Sequence, residues 1–213
     1  MPNIYAISIL LALLVGLSIL PSSSCQRAGG VLVNHHLLAG NLIDEALTSS
    51  FSEGKNDINL VVLISPDHFG GGRTYGTTAL IDFETPYGRL EGASIPTELT
   101  SERIIGVDTK PFELEHGIYN ITPFIKKLLP NAKVLPIAIK DSAPEAYTAR
   151  IAKALSMLPP GTLFVGSFDF THNATLEQAK MRDAKTLKIL KSDFGSRLNE
   201  ITNLNKNGVA VDS

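Results

Sequence analysis

Short strand-like apolar runs alternate with segments of helical spacing from residue 29 onward, and this alternation leaves few folds open. The run 59–65 shows the strand type most clearly, since consecutive apolar residues indicate a strand buried on both faces. The segment 37–51 shows the helical type, with apolar residues three and four positions apart. The alternation predicts an α/β domain with a largely parallel central sheet flanked by helices. We predict strands at 29–34, 59–65, 133–139 and 162–167, and helices at 37–51, 122–129, 143–158 and 174–203.

Turn-forming and strand-breaking residues refine this pattern. The tetrapeptide Thr85-Pro-Tyr-Gly88 has proline early and glycine late, which predicts a turn between strand-like segments at 77–83 and 89–93. Pro136 lies inside the run 133–139. Because proline cannot donate a backbone hydrogen bond, this run is predicted to be an edge strand or to carry a bulge.

The apolar run at residues 4–20 carries no charge and is at the short end of the roughly 17–25 residues that cross a bilayer. Small residues before Cys25 resemble a signal-peptide cleavage junction, although no Lys or Arg precedes the run. We therefore predict that residues 1–28 are a signal peptide or membrane anchor. Residues 29–213 would form one α/β domain, secreted or membrane-anchored outside the cytoplasm. The alternatives are a lipoprotein modified at Cys25, an orientation facing the cytoplasm, and a buried core helix.

Charge and cysteine content exclude several classes of protein. Nineteen basic and 21 acidic residues give a net charge of −2, so a strongly basic nucleic-acid binder is not expected. Cys25 is the only cysteine of the chain. That excludes an intrachain disulfide framework and any zinc site with more than one cysteine ligand.

Four of the five histidines lie directly after strand-like runs, and the fifth follows two glutamates just before a helical segment. Ligands of open parallel sheets bind beyond the carboxyl ends of the strands. Three strand ends would therefore bring histidines to one edge of the sheet. The histidines after strands are His35, His36, His68 and His172, and the remaining one is His116 beside Glu113 and Glu115.

Carboxylates near these histidines add to a metal-binding pattern. Glu115 could supply a ligand, an orienting group or a general base, and Asp169 lies three residues before His172. Imidazoles with carboxylates and no nearby thiol suit a divalent metal or a non-haem iron site of two histidines and one carboxylate. The structural alternatives are hydrogen-bonded histidines, aspartates such as Asp67 and Asp169 in turns or helix caps, and a flexible loop at 70–72.

Five segments resemble, in the same order, motifs of the Memo-like family, also called AmmeMemoRadiSam system protein B. Asn34 stands where the family has proline before its first histidine. The resemblance covers roughly residues 29–213. The segments are Asn34-His-His-Leu-Leu-Ala39, Ser65-Pro-Asp-His68, Thr85-Pro-Tyr-Gly88, Glu115-His116 followed by Pro123-Phe124, and Ser167-Phe-Asp-Phe-Thr-His172.

This resemblance implies a fold similar to that of the class III extradiol dioxygenases, which hold non-haem iron. It implies iron as the favoured metal, with copper as the second choice. It also implies that His35 and His68 are metal ligands, that His172 is the active-site acid or base, and that Glu115, His116 and Asp169 line the pocket.

The third ligand of the family lies near the C-terminus, in a segment that resembles residues 211–213, so Asp212 is a candidate where some relatives place cysteine. Two neutral imidazoles carry no charge to offset a divalent cation, which makes a carboxylate ligand expected. Glu115 is the competing donor. The run 209–211 would pair at the sheet and place Asp212 near His35 and His68. Relatives continue for several elements, so the final elements are expected to be missing.

The function implied is that of a Memo-like metal-binding protein, either a redox enzyme or an oxygenase with non-haem iron or copper. The substrate would chelate the metal, O₂ would bind at an open position, and His172 would move a proton. The alternatives are a non-catalytic metal- or partner-binding protein and a metallohydrolase with Glu115 or His172 as base. The substrate stays open, and a partner from the radical-SAM system is an additional expectation.

Overall fold

A six-stranded sheet forms the centre of the protein. The computed structural model describes residues 29–50, 57–171 and 174–191. The sheet order is β1-β6-β2-β5-β3-β4, and every neighbouring pair is parallel except β3 with β5. The predicted α/β class with a largely parallel sheet is therefore confirmed. The strands are β1 (Gly29–Val33), β2 (Leu60–Pro66), β3 (Gly76–Thr78), β4 (Gly106–Val107), β5 (Lys133–Ile139) and β6 (Thr162–Ser167).

Helices connect most of the consecutive strands. The last described helix starts after Thr175, whose hydroxyl and Gln178 form a reciprocal capping box, so it begins two residues later than predicted. Short 3₁₀ segments occupy Leu37–Ala39, Ser101–Arg103 and Lys110–Glu113. The α-helices are α1 (Gly40–Ser50), α2 (Thr97–Thr100), α3 (His116–Tyr119), α4 (Thr122–Leu128), α5 (Glu145–Leu155) and α6 (Leu176–Leu190).

Two apolar clusters cover the two faces of the sheet. Along β6 the side chains alternate between them, with Phe164 in one cluster and Val165 in the other. The first cluster includes Ile151 of α5, and the second includes Ile43 of α1 and Ile125 of α4. Helices therefore pack on both faces, and all six residues of β6 are buried. This explains why the strand sequences are continuously apolar rather than alternating.

Pro136 does not mark an edge strand, because β5 lies inside the sheet between β2 and β3. The β3 ladder covers only the last residues of β5, starting with Ile137 opposite Thr78. On the other side of the proline, the amide of Val134 donates to the carbonyl of Glu91 at 2.9 Å. On this side of β5, Pro136 lies between the part that pairs with Glu91 and the part that pairs with β3. Its missing N–H therefore interrupts no continuous row of hydrogen bonds between two strands.

The predicted turn at Thr85-Pro-Tyr-Gly88 is present, with the amide of Gly88 donating to the carbonyl of Thr85 at 3.0 Å. Gly88 has a φ of 99°, a backbone conformation that favours glycine. The flanking segments are less regular than predicted. The two segments pair with each other only through an isolated antiparallel bridge between Phe83 and Leu90, whereas Thr77 and Thr78 belong to β3 and Gly92 bridges Val134.

Several predictions concern residues outside the described ranges. These are the anchor or signal segment at 4–20, the strand at 209–211, His172 and Asp212. Within the ranges that are described, no helix has the length and apolar character needed to cross a membrane.

Candidate metal centre

Three neighbouring parallel strands bring the strand-end residues together. β6 lies between β1 and β2, so the carboxyl ends of all three strands meet at the same sheet edge. His35 follows β1, His68 follows β2 and Asp169 follows β6, each two residues beyond its strand. The spatial order could not be read from the sequence, but the shared edge was predicted.

Helix α3 contributes the third histidine of the site, His116. Glu115 is its N-cap, accepting a hydrogen bond from the amide of Gly117, and His116 is the first helical residue. The helix lies close against the strand ends. A Cβ added to Gly117 would stand 2.0 Å from Oγ of Ser65, and Oγ of Ser167 donates to the Gly117 carbonyl at 2.5 Å.

His35 is buried, with 1% of its surface exposed, and both of its ring nitrogens face protein groups. Its Nδ1 lies 3.4 Å from the carbonyl and 3.3 Å from Oγ of Ser167. Its Nε2 lies 3.4 Å from Oδ2 of Asp169, whose Oδ1 accepts the backbone N–H of His35 at 3.0 Å. The side-chain amide of Asn120 donates to the carbonyl of His35 at 3.0 Å, which ties this segment to the end of α3.

The loop after β2 is organised by two carboxylates. Asp67 accepts hydrogen bonds from the amides of Gly71 and Gly72, both at 3.0 Å, so the glycine segment is wrapped around a side chain. Glu115 accepts the backbone N–H of His68 at 2.9 Å and lies 2.6 Å from its Nδ1. Together these contacts fix the position of the His68 ring.

The rings of His35, His68 and His116 form one cluster, in which one donor nitrogen of each lies within 4.8 Å of the others. Their centroids are 4.3 to 4.9 Å apart. Ligands about 2 Å from a shared ion are at most about 4 Å from one another, so adjustments of about 1 Å would let all three bind one ion.

Burial and neighbouring charges alter the pKa values of the cluster. Burial lowers the pKa of His35 to about 4, against a smaller opposing effect of Asp169. Burial and the neighbouring His68 also lower the pKa of His116. Burial would by itself raise the pKa of Glu115, but its hydrogen bonds, above all from His68, outweigh this and lower it. At neutral pH the cluster therefore presents neutral His35 and His116 beside an ionised carboxylate.

The structure brings together His35, His68, His116, Glu115 and Asp169, which the sequence had assigned to one site. The arrangement differs from the prediction in one respect, because His116 joins the donor cluster instead of only lining the pocket. His172 and Asp212 lie outside the described residues.

Sequence reasoning missed Asp141, a half-buried residue two positions beyond β5 and hence at the same sheet edge. Burial raises the pKa of this carboxyl group, while the neighbouring His68 opposes the effect. Its place directly after a buried strand was the available signal.

The chain is similar to one group of proteins over most of its length. A family model described as Memo-like protein matches residues 21–210. A MEMO1 family protein of Thermotoga sp. strain RQ2 is 28% identical over 140 residues, covering 63% of this chain and 50% of the relative. The Thermotoga maritima protein is 27% identical, with 67% and 53% covered. The Pyrobaculum aerophilum protein is 26% identical, with 82% and 64% covered.

The chain spans about half the length of the two Thermotoga relatives. Among solved structures, an uncharacterized protein of Escherichia coli K12 matches with a TM-score of 0.39 and 14% identity. The match covers 69% of this chain and 62% of that chain, and a likeness this distant carries no argument.

Proposed function

This chain belongs to the Memo-like family, and we propose that it binds a divalent metal ion through His35, His68 and His116. The observation that carries the proposal is the convergence of one donor nitrogen from each ring within 4.8 Å. The three residues come from separate parts of the chain, so their meeting is a product of the fold.

The donor set fits a borderline transition metal. Imidazole suits Fe, Cu, Zn and Ni, whereas Mg²⁺ and Ca²⁺ prefer oxygen ligands. Low pKa values keep His35 and His116 unprotonated at neutral pH, which a metal ligand requires. The buried carboxylates of Glu115 and Asp169 supply negative charge beside the cluster. We propose iron first and copper second, as the family resemblance implies.

A metal held here would act as a Lewis acid and redox centre for a bound substrate. The protein's own part is to hold the three imidazoles, to keep His35 and His116 neutral by burial, and to orient the cluster through Glu115 and Asp169. His172 remains our proposal for the residue that moves a proton. A redox or oxygenase activity of the AmmeMemoRadiSam protein B type, with a radical-SAM system partner, is the finer form of this proposal.

A metal-free Ser-His-Asp hydrolase is disfavoured, although the Ser167 hydroxyl contacts the His35 ring and the other side of that ring contacts Asp169. Ser167 is fully buried, and its hydroxyl donates to the Gly117 carbonyl at 2.5 Å. A nucleophile needs access to its substrate, and this hydroxyl has none.

Metal titration of purified protein tests the proposal. Anaerobic calorimetry with Fe²⁺, and parallel titrations with Cu²⁺, Zn²⁺ and Co²⁺, should show one site per chain. His116→Ala should weaken binding by about 100-fold or more, since even residues that only orient ligands cost about 10–100-fold. His36→Ala is the matched control, because this exposed neighbour is not part of the cluster and should leave affinity unchanged. Equal affinities of His116→Ala and wild type would remove His116 from the site.

Oxygen uptake separates the redox proposal from the non-catalytic alternative. Iron-loaded protein, prepared without oxygen, is exposed to O₂ with and without catechol-like compounds. Substrate-dependent O₂ consumption that is lost in His68→Ala supports an oxygenase. Tight metal binding with no O₂ consumption favours a metal- or partner-binding protein on the same scaffold.

The location of the protein is a separate proposal that rests on residues 4–20 alone. We propose that this uncharged segment directs the α/β domain out of the cytoplasm as a signal peptide or membrane anchor. Expression of the full chain and of a version that starts at Gly29, followed by membrane fractionation, tests it. Uncleaved full-length protein found wholly in the cytosolic fraction would refute it.

A further inference from the structure

We infer that Glu115 is a positioning residue which orients two of the three clustered histidines and does not itself bind the metal. The inference rests on the proposed function for the ligand roles of His68 and His116. It decides between the roles that the sequence left open for Glu115, which were ligand, orienting group and general base.

Both oxygens of Glu115 are already engaged. The side chain is fully buried. Its Oε1 lies 2.6 Å from Nδ1 of His68 and accepts the amide of Gly117 at 2.9 Å, and its Oε2 accepts the amide of His68 at 2.9 Å. The hydroxyl of Ser65 lies 3.4 Å from Oε1. A carboxylate has about four acceptor positions, so these donors fill Oε1 and leave one position, on Oε2, for a cation.

The contact with His68 determines the tautomer of that ring. An ionised carboxylate can only accept hydrogen bonds, so Nδ1 of His68 must carry the proton at a distance of 2.6 Å. The neutral ring then has Nε2 as its unprotonated nitrogen. A histidine that donates through one nitrogen to a carboxylate is held with the other nitrogen oriented for a metal.

The same carboxylate also sets the position of His116. Glu115 is the N-cap of α3, and His116 is the next residue and the first of the helix. Its Nδ1 lies 3.8 Å from Oε1 of Glu115. One side chain therefore joins the loop after β2 to the start of α3, and the 4.3 Å spacing of the His68 and His116 rings depends on it.

The tautomer of His68 can be measured without any metal. Long-range ¹H–¹⁵N spectra of metal-free wild-type protein, recorded over a range of pH, should show that the neutral form of His68 carries its proton on Nδ1 and not on Nε2. In Glu115→Gln this preference should be lost, whereas Glu113→Gln, an exposed neighbour of the same type, should retain it. A wild-type His68 protonated at Nε2 alone would overturn the inference, whether or not the variant folds.

Cobalt titration distinguishes positioning from ligation. Glu115→Gln should lower Co²⁺ affinity by about 10–100-fold, as loss of an orienting partner does. The visible spectrum of the Co²⁺ that still binds should remain that of the wild type, because the ligand set is unchanged. A changed spectrum, or oxygen from Glu115 in the X-ray absorption spectrum of the wild type, would make Glu115 a ligand and refute positioning. If the wild type binds no Co²⁺, Fe²⁺ or Cu²⁺, the proposed function fails, while the tautomer measurement still decides whether Glu115 orients His68.

Discussion

At the scale of single residues, His35 shows how burial prepares an imidazole for a metal. Its ring is almost completely enclosed, and its pKa is lowered to about 4 because the charged form loses its hydration. Protonation would place a positive charge among two other histidines. The neutral form is therefore the one that the fold favours, and it is also the form that can bind a metal.

This burial predicts an acid-dependent loss of stability in the metal-free protein. The unfolded chain takes up a proton on His35 near pH 6.5, whereas the folded protein does so only near pH 4. The stabilisation that buried, neutral His35 adds to the free energy of unfolding is therefore fully present above pH 6.5. It falls by about 3 kcal/mol as the pH drops to 4. Urea unfolding of the wild type and of His35→Gln at pH 7, 6 and 5 measures it. An identical pH dependence in the two proteins would contradict the prediction.

At the scale of elements, the contact between α3 and the end of β2 decides whether the third histidine reaches the cluster. Gly117 allows this approach, because any Cβ at that position would overlap the side chain of Ser65. The hydrogen bond from Ser167 to the Gly117 carbonyl holds the helix against β6 as well. A four-residue helix is too short to be stable by itself, so these contacts define it.

Gly117→Ala should therefore destabilise the protein, even though alanine is the better helix former. We expect a loss of about 1–3 kcal/mol from overpacking and a weaker affinity for Co²⁺, because His116 moves with the helix. Gly40→Ala is the matched control, since its Cβ would meet only Phe124 at an ordinary 3.5 Å. Urea unfolding and Co²⁺ titration of both variants provide the measurement. Wild-type stability and affinity in Gly117→Ala would show that the close contact is unimportant.

At the scale of the whole molecule, β6 is the strand that connects the site to both halves of the core. It pairs with β1 and β2, and its side chains enter the apolar cluster on each face of the sheet. The two strands after which His35 and His68 follow are thus kept at a fixed separation by the strand between them. A substitution that disrupts the packing of β6 should therefore lower the stability of the whole domain.

Phe164→Ala should cost about 3–5 kcal/mol in the free energy of unfolding, because a fully packed ring is replaced by a cavity. Phe69→Ala is the matched control, since that ring is 60% exposed and should change stability by less than about 1 kcal/mol. Urea unfolding of the two variants tests this. Similar losses in both variants would show that the burial of Phe164 in β6 does not set the stability of the domain.

Local sequence patterns were sufficient to define the main elements and the shared sheet edge. The runs 133–139 and 162–167 match β5 and β6 residue for residue, because strands buried on both faces are mostly apolar over consecutive positions. The placement of His35, His68 and Asp169 after strand ends followed from the same pattern. These are local signals, since each depends on residues within a few positions of one another.

Only the tertiary structure decided which distant segments of the chain contact one another. The edge-strand prediction for Pro136 was wrong because its neighbours come from two separate segments, at Glu91 and at Thr78. The meeting of Glu115 with His68 joins residues 47 positions apart and depends on the close approach of α3 to Ser65. Such contacts arise when helices and strands pack to fill space. Local sequence patterns carry no record of that packing, because the same helix signal is compatible with many positions on the sheet.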